Sequence, residues 1–131
     1  MSSNMSGRVY TQSHVWLKPL SEQVLVLGIT EFAQQQLGDI VFVDLPELGA
    51  ITHADKACLV VESVKSASDV ICPVEGEIAE VNNQLQDEPE LINQSPYEKG
   101  WIIKIKVAKN HLIEGKMTLD EYNDQQSNSS E

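Results

Sequence analysis

Apolar and polar residues alternate in short runs along most of this chain, and Gly, Pro, Asp and Asn break the runs every few positions. That rhythm predicts short strands joined by tight turns. Residues 14–18 (His-Val-Trp-Leu-Lys) alternate and read as a strand, with a turn over 19–22. Residues 23–29 form a second strand, apolar nearly throughout. Thr30 is placed to cap a short helix over 31–37, which Gly38 stops. Residues 39–45 read as a third strand ended by Pro46, and a loop runs from Gly49 to Asp55. Residues 76–81 alternate again, and 89–92 suit a helical turn. Residues 101–107 give the clearest half-buried strand, with Ile103, Ile105 and Val107 facing in and Lys104 and Lys106 facing out. Helical patterns follow near 109–114 and 119–124, with Thr118 a candidate cap. About seven short strands with few helices predict a mainly β fold, a small sandwich or flattened barrel with peripheral helices. Residues 1–8 read as a flexible N-terminus, 9–124 as one domain, and 125–131 as a disordered polar tail.

The most unusual stretch joins two further strands. Residues 57–61 (Ala-Cys-Leu-Val-Val) and 69–72 (Asp-Val-Ile-Cys) make a hairpin with Lys65 at its tip. Hairpin tips favour Asn-Gly or Asp-Gly, which tolerate the backbone the turn needs, so Val64-Lys65 is a poor turn. A solvated surface lysine and a covalently modified one both fit this position. With a two-residue turn, Ser63 faces Ser66. One face then carries Ala57, Leu59, Val61, Val70 and Cys72, with Ser63, Ser66 and Ser68, and packs on the core. The other carries Cys58 and Val60 with Glu62 and Asp69. The tip therefore presents one ammonium with two same-face carboxylates set behind it, where a modifying enzyme's basic residues can read them. Amide formation at the lysine removes its charge and puts a long flexible chain on a rigid tip. The same register sets Cys58 opposite Ile71 and Cys72 opposite Ala57. The two sulfurs then lie on opposite faces, and no disulfide between them is expected.

Charge narrows the partners. The chain of 131 residues has 9 Lys and Arg against 20 Asp and Glu, a net charge of -11. Nucleic acid, which needs a basic footprint, is not an expected partner. The acidic surface fits solubility or docking onto basic patches of other proteins. No apolar run is long enough for a membrane-spanning helix. The first eight residues lack the apolar stretch of a secretory signal and are too short, with one Arg, for an organellar presequence, so a bacterial cytoplasmic protein or a mature form is expected. His14, His53 and His111 are too scattered for a ligand set, so no metal is expected. No Gly-rich phosphate loop follows a strand. No carboxylate pair or serine with a spaced base stands out, so no catalytic residues are assigned. Trp16 and Trp101 read as packing residues.

Several separated motifs occur in a telling order. They are Val9-Tyr10-Thr11 with His14 and Trp16, then Gly28-Ile29-Thr30, and Leu37-Gly38-Asp39-Ile40-Val41-Phe42-Val43-Asp44-Leu45-Pro46. Next come Val61-Glu62-Ser63-Val64-Lys65-Ser66-Ala67-Ser68-Asp69-Val70, Gly76-Glu77-Ile78, Pro89-Glu90-Leu91-Ile92-Asn93 and Gly100-Trp101. In these pieces the chain resembles the glycine cleavage system H protein family, from about Val9 to Tyr122. The resemblance implies a lipoyl/biotinyl-carrier-like flattened β-sandwich, the hammerhead barrel. It implies lipoate in amide linkage to Lys65, with Glu62, Ser63, Val64, Ser66, Ala67 and Asp69 as the recognition turn. It implies a monomeric carrier without catalysis of its own, located in the bacterial cytoplasm, or in the mitochondrial matrix for a processed form. The implied partners are a pyridoxal-phosphate glycine decarboxylase, a tetrahydrofolate-dependent aminomethyltransferase, dihydrolipoamide dehydrogenase and the lipoyl-attaching enzymes. The cofactors carry the hard chemistry, and the carrier supplies attachment and positioning.

Two positions depart from the family pattern. Many members have His-Glu-Trp where this chain has His14-Val15-Trp16, and many have a histidine where Gln36 stands. Both changes remove polar groups that could hold a loaded arm against the surface. They motivate an alternative, a lipoyl relay protein that hands lipoyl groups to other lipoate-dependent complexes. A biotin carrier fits less well, because Val64 and Ser66 stand where biotin-accepting turns typically have methionine on both sides of the lysine. The lipoyl domain of an acyltransferase would continue through a linker into a catalytic domain.

Overall fold

The structure, a computed structural model, describes residues 8–108. The two helical patterns beyond residue 108, the polar tail and the first seven residues lie outside that range. Nine strands and three short helices are described: β1 (Val9–Tyr10), β2 (Val15–Ser21), β3 (Val24–Ile29), α1 (Glu31–Leu37), β4 (Ile40–Asp44), β5 (Ile51–Thr52), β6 (Lys56–Ser63), β7 (Ala67–Cys72), β8 (Gly76–Val81), α2 (Gln84–Asp87), α3 (Leu91–Gln94) and β9 (Ile103–Lys106).

The strands form two antiparallel sheets. One runs β1-β2-β3-β9-β8-β5 and the other β4-β6-β7. The ladders end at edge strands, so the fold is a flattened sandwich and not a closed barrel. The core lies between the sheets. Leu17, Leu27, Ile78, Ile103 and Ile105 come from the larger sheet, and Val43, Leu59, Val61 and Val70 from the smaller. Each side chain of this size contributes about 1.5–3 kcal/mol when fully buried. Period-2 alternation explains the selection: in β9, Ile103 and Ile105 are fully buried while Lys106 is exposed. A second cluster, Tyr10, Trp16 and Val26 with Phe32, Tyr97 and Trp101, packs on the outer face of the larger sheet. Trp16 lies flat on the backbone of Gly28, where an added Cβ would fall 2.6 Å from the ring. Only glycine permits that approach.

The helix over residues 31–37 forms as the capping residues dictate. The Thr30 hydroxyl accepts the Ala33 N–H at 3.2 Å, and Gly38 ends the helix with φ of 84°. Other elements differ from the sequence reading. β2 continues through Pro19 to Ser21, where a turn is expected from Pro19 onward. Strand β1 covers only Leu17 and Trp16, so Pro19 lies on an uncovered part of the ladder, where a missing N–H costs little. β5 falls in the predicted loop, pairing Ile51 with Glu77 and Thr52 with Gly76. Two residues are too few to show a period. Arg8, assigned by sequence to the flexible start, is buried, and its guanidinium donates to the Tyr97 carbonyl and stacks 4.9 Å from the Trp16 ring.

The β6–β7 register is the expected one near the tip, with Glu62 opposite Ala67 and Val60 opposite Asp69. It shifts between Ala57 and Leu59, where Cys58 is an extra residue, so Cys72 faces Lys56 and Ala57 faces Ile71. Such a bulge turns side chains across the ribbon. Ala57 is exposed and not on the buried face, while Cys58 packs against the core that buries Cys72. The expectation of sulfurs on opposite faces is thus corrected. Both cysteines are free thiols, Cys58 donating to the Val70 carbonyl at 3.6 Å and Cys72 to the Val74 carbonyl at 3.2 Å, and the Cys72 thiol is the neighbour that most affects Cys58. That contact and burial push the Cys58 thiol well above its ordinary pKa.

Candidate functional site

The hairpin tip turns without the usual residues because Ser63 supplies the missing hydrogen bonds. Its hydroxyl oxygen accepts the backbone N–H of Lys65 at 3.1 Å and of Ser66 at 3.2 Å. The same hydroxyl lies 3.2 Å from the Ser66 carbonyl oxygen, and the Ser63 N–H donates to that carbonyl at 2.8 Å. Among the described residues only His14 and Asp55 have positive φ outside glycine, so Val64 and Lys65 turn in ordinary backbone. The Val64 N–H donates to the Asp39 carbonyl at 3.0 Å, which clamps the tip to the start of β4.

Lys65 is exposed, as are Glu62, Val64, Ser66, Ala67 and Asp69, while Ser63 is half-buried. Its stem folds back over Gly38, where an added Cβ would stand 3.2 Å from the lysine Cε. The Nζ donates to the Gln36 carbonyl at 3.4 Å, one of the carbonyls α1 leaves open at its end. The corner beneath is held by Asn93, whose Oδ1 accepts the Ile40 N–H at 2.9 Å. Its Nδ2 donates to Gln34 Oε1 at 2.8 Å and to the Gly38 carbonyl at 3.0 Å. α1, β4 and α3 therefore meet at one side chain under the lysine. The carboxylates Glu62 and Asp69 lie on the outer face of the small sheet, as the register requires.

Beside the lysine opens a cavity of about 300 Å³, with Val15, Phe32 and Leu37 as apolar walls and His14, Gln36 and Asp69 as polar ones. Gln36 belongs to both features: its carbonyl meets Lys65 Nζ and the residue lines the cavity, so the lysine tip stands at the cavity rim. His14 turns with φ of 64° and packs its ring 4.7 Å from that of Phe32. Burial holds its imidazole below the ordinary 6.5, which favours the neutral form near neutral pH. A larger depression of about 500 Å³, walled by Trp16, Tyr97 and Trp101 with Arg8 and Lys104, shares no residue with this cavity and includes none of the hairpin.

Of the sequence-derived site residues, the structure gathers Lys65, Ser63, Val64 and Ser66 at the tip, with Glu62, Ala67 and Asp69 on the flanking strands. Sequence reasoning singled out Val15 and Gln36, and both line the cavity. It missed Asn93, whose partners are remote in the chain, and the turn-forming role of Ser63. A serine directly before an otherwise poor turn was the available signal for the latter. Among the described residues no three His, Cys, Asp or Glu side chains gather where they could hold a metal ion, and no helix is long and apolar enough to cross a membrane.

An exposed lysine on a serine-braced hairpin, standing at the rim of an apolar cavity, suits a covalently attached arm with a place to fold back. The profile of the glycine cleavage H-protein family matches residues 8–129. The glycine cleavage system H protein of Escherichia coli O7:K1 is 50% identical over 122 residues, covering 93% of this chain and 95% of that protein. That of Psychromonas ingrahamii is 47% identical over 117 residues, 89% of this chain and 94% of its own. The crystal structure of a glycine cleavage system H protein from Mycobacterium marinum superposes with a TM-score of 0.83 at 36% identity, covering 92% of this chain and 97% of the other. A profile spanning nearly the whole chain, relatives matched over nearly their full length and a shared fold establish that this chain belongs to the glycine cleavage H-protein family.

Proposed function

We propose that Lys65 carries lipoate in amide linkage, and that the protein shuttles the aminomethyl group of glycine between the enzymes of glycine cleavage without catalysing a step itself. The observation that carries this reading is the position of the Lys65 amine, which meets the carbonyl of a cavity-lining residue, Gln36, at 3.4 Å. The lipoyl dithiolane supplies reversible disulfide chemistry and a thiol to which the one-carbon unit binds. The chain's own residues hold and shelter the arm. Phe32, Leu37 and Val15 offer apolar walls, and His14, kept neutral by burial, sets no positive charge against a cationic end group. The partners in this reading are a glycine decarboxylase, an aminomethyltransferase, dihydrolipoamide dehydrogenase and a lipoyl-attaching enzyme. A tethered arm raises the effective concentration at each of them without tight docking. The reading takes the protein to be a monomer in the bacterial cytoplasm, or in the mitochondrial matrix for a processed form.

The mass of the tryptic peptide containing Lys65, from a lipoate-competent host, tests the attachment. A lipoyl adduct on that peptide is expected, and its absence, or its persistence in Lys65→Ala, defeats the assignment. A second reading, a lipoyl relay to other complexes, draws on Val15, a buried apolar residue that adds no charge to the cavity. Carbon dioxide exchange into glycine with the purified decarboxylase separates the two, since normal rates exclude a relay-only role.

A further inference from the structure

The outer face of the β4–β6–β7 sheet carries exposed apolar residues that pack against none of the described core clusters. The register shifts between Ile40 and Phe42, making Val41 an extra residue in β4. A regular strand would turn one of two adjacent residues inward. The bulge leaves both exposed, Val41 at 52% and Phe42 at 44%. Val64, next to the lysine, is 66% exposed. Phe42 pairs with Glu62, and Val60 is flanked by Asp44 and Asp69, so these side chains share one face. Along these rows and the tip, Lys65 is the one cation.

This apolar centre in an acidic rim begins at the modified residue, and that decides its occupant. Enzymes that act on a finished arm reach it through a long tether and need not touch the sheet. The enzyme that attaches the acyl group has no such distance. It must bring an activated acyl carbon to within bonding range of Nζ, at the end of a four-carbon stem. Its surface therefore has to cover the residues around Lys65. In that step the amine attacks the acyl carbon of an acyl adenylate held by the enzyme. The C–N bond forms, the bond to the adenylate phosphate oxygen breaks, and the amine's lost proton balances the released phosphate.

We propose that Val41, Phe42 and Val64, rimmed by Asp44, Glu62 and Asp69, form the docking surface for the enzyme that acylates Lys65, and that its partner surface is an apolar pocket edged with basic side chains. This rests on the reading of Lys65 as the lipoylated residue. Buried aromatic anchors dominate such interfaces, and rim charges set their salt dependence.

The test is steady-state acylation of the apo protein by a lipoate–protein ligase supplied with lipoate and ATP. In Phe42→Ser the KM for the carrier is expected to rise about tenfold, with kcat within about twofold of the parent, and Phe42→Leu is expected to recover most of the loss. KM is expected to climb with salt, and a salt-independent KM overturns the charged rim. Val64→Ser and Val41→Ser carry the same expectation should Phe42→Ser fail to fold. An unchanged KM in a parent that is acylated normally overturns the surface alone. A parent that takes no acyl group overturns the lipoyl reading and the surface with it. A parent that sediments as a dimer, dissolved by Phe42→Ser, assigns the face to a second copy and overturns the proposal.

Discussion

Ser63 and Lys65 are joined by a hydrogen bond inside the turn itself, the serine hydroxyl accepting the lysine backbone N–H at 3.1 Å. An Asn-Gly pair reverses a hairpin through left-handed backbone, whereas here the serine side chain lets the chain reverse with neither Val64 nor Lys65 in that region. The turn residues are then free to be chosen for another reason. Ser63→Ala removes the acceptor for two backbone N–H groups at an exposed site. A loss of about 1 kcal/mol is expected, read from the urea midpoint. Under the proposed lipoyl reading, acylation of Lys65 should slow more than that stability loss accounts for, while Ser63→Thr keeps both near the parent.

Asn93 is the polar tie beneath the tip, accepting from Ile40 and donating to Gln34 and Gly38. Asn93→Ala leaves the Ile40 N–H and the Gly38 carbonyl without these partners. An unsatisfied buried group costs about 1–3 kcal/mol, so a destabilisation in that range is expected from thermal or urea unfolding. Amide exchange at Ile40 and Val64 should accelerate more than in β9, because the corner loosens first.

The Cys58 thiol, set beside the Cys72 thiol and desolvated, is held above its ordinary pKa and stays protonated. The thiolate is the nucleophile, so iodoacetamide at pH 8 should modify Cys58 at least about tenfold more slowly than an exposed cysteine. In denaturant both cysteines should react at the ordinary rate. Peptide mass spectrometry over time measures the two rates. Fast native-state labelling of Cys58 would contradict the contact.

Much of the fold is legible where local signals act alone. Thr30 and Gly38 bracket α1 because both caps are intrinsic to their residue types, and Ile103 and Ile105 face inward because β9 alternates cleanly. The site was partly legible: Lys65 stood out because Val64-Lys65 fails turn chemistry, and the tip register followed from a two-residue link. The two bulges were not. Cys58 and Val41 each sit in a run apolar on both sides, where an inserted residue leaves no mark on the pattern. The Asn93 contacts were hidden for another reason, since a buried polar side chain declares its partners only once the chain has folded.

Gly38 ends α1 with φ of 84° and supports the lysine stem. Gly38→Ala places a methyl group 3.2 Å from Lys65 Cε and forces an L-residue into backbone it disfavours. A cost of about 1–3 kcal/mol is expected from the backbone alone, because its ψ of −159° puts the residue in a region that is essentially glycine's own. The displaced stem should no longer bring Nζ to the Gln36 carbonyl, which ¹⁵N and side-chain NMR of Lys65 can follow. A parent-like Lys65 signal in that variant would show the stem does not rest there.

His14 sets an acid limit on stability whose sign follows from its burial. The folded imidazole has a lowered pKa while the unfolded one titrates near 6.5, so the unfolded chain binds the proton first as pH falls. The stability tied to neutral His14 is therefore fully present above about pH 6.5 and is lost as pH falls through the lower, folded value. His14→Gln cannot titrate. Its urea midpoint should fall less steeply than the parent's between pH 7.5 and 5, on top of the slope that the carboxylates give both proteins. Removing the group's only charged form should also leave lipoylation at pH 7.5 unchanged, because the imidazole is already neutral there. Parallel stability slopes for the two proteins would mean that His14 titrates as freely folded as unfolded, and that the cavity wall it forms is open to water.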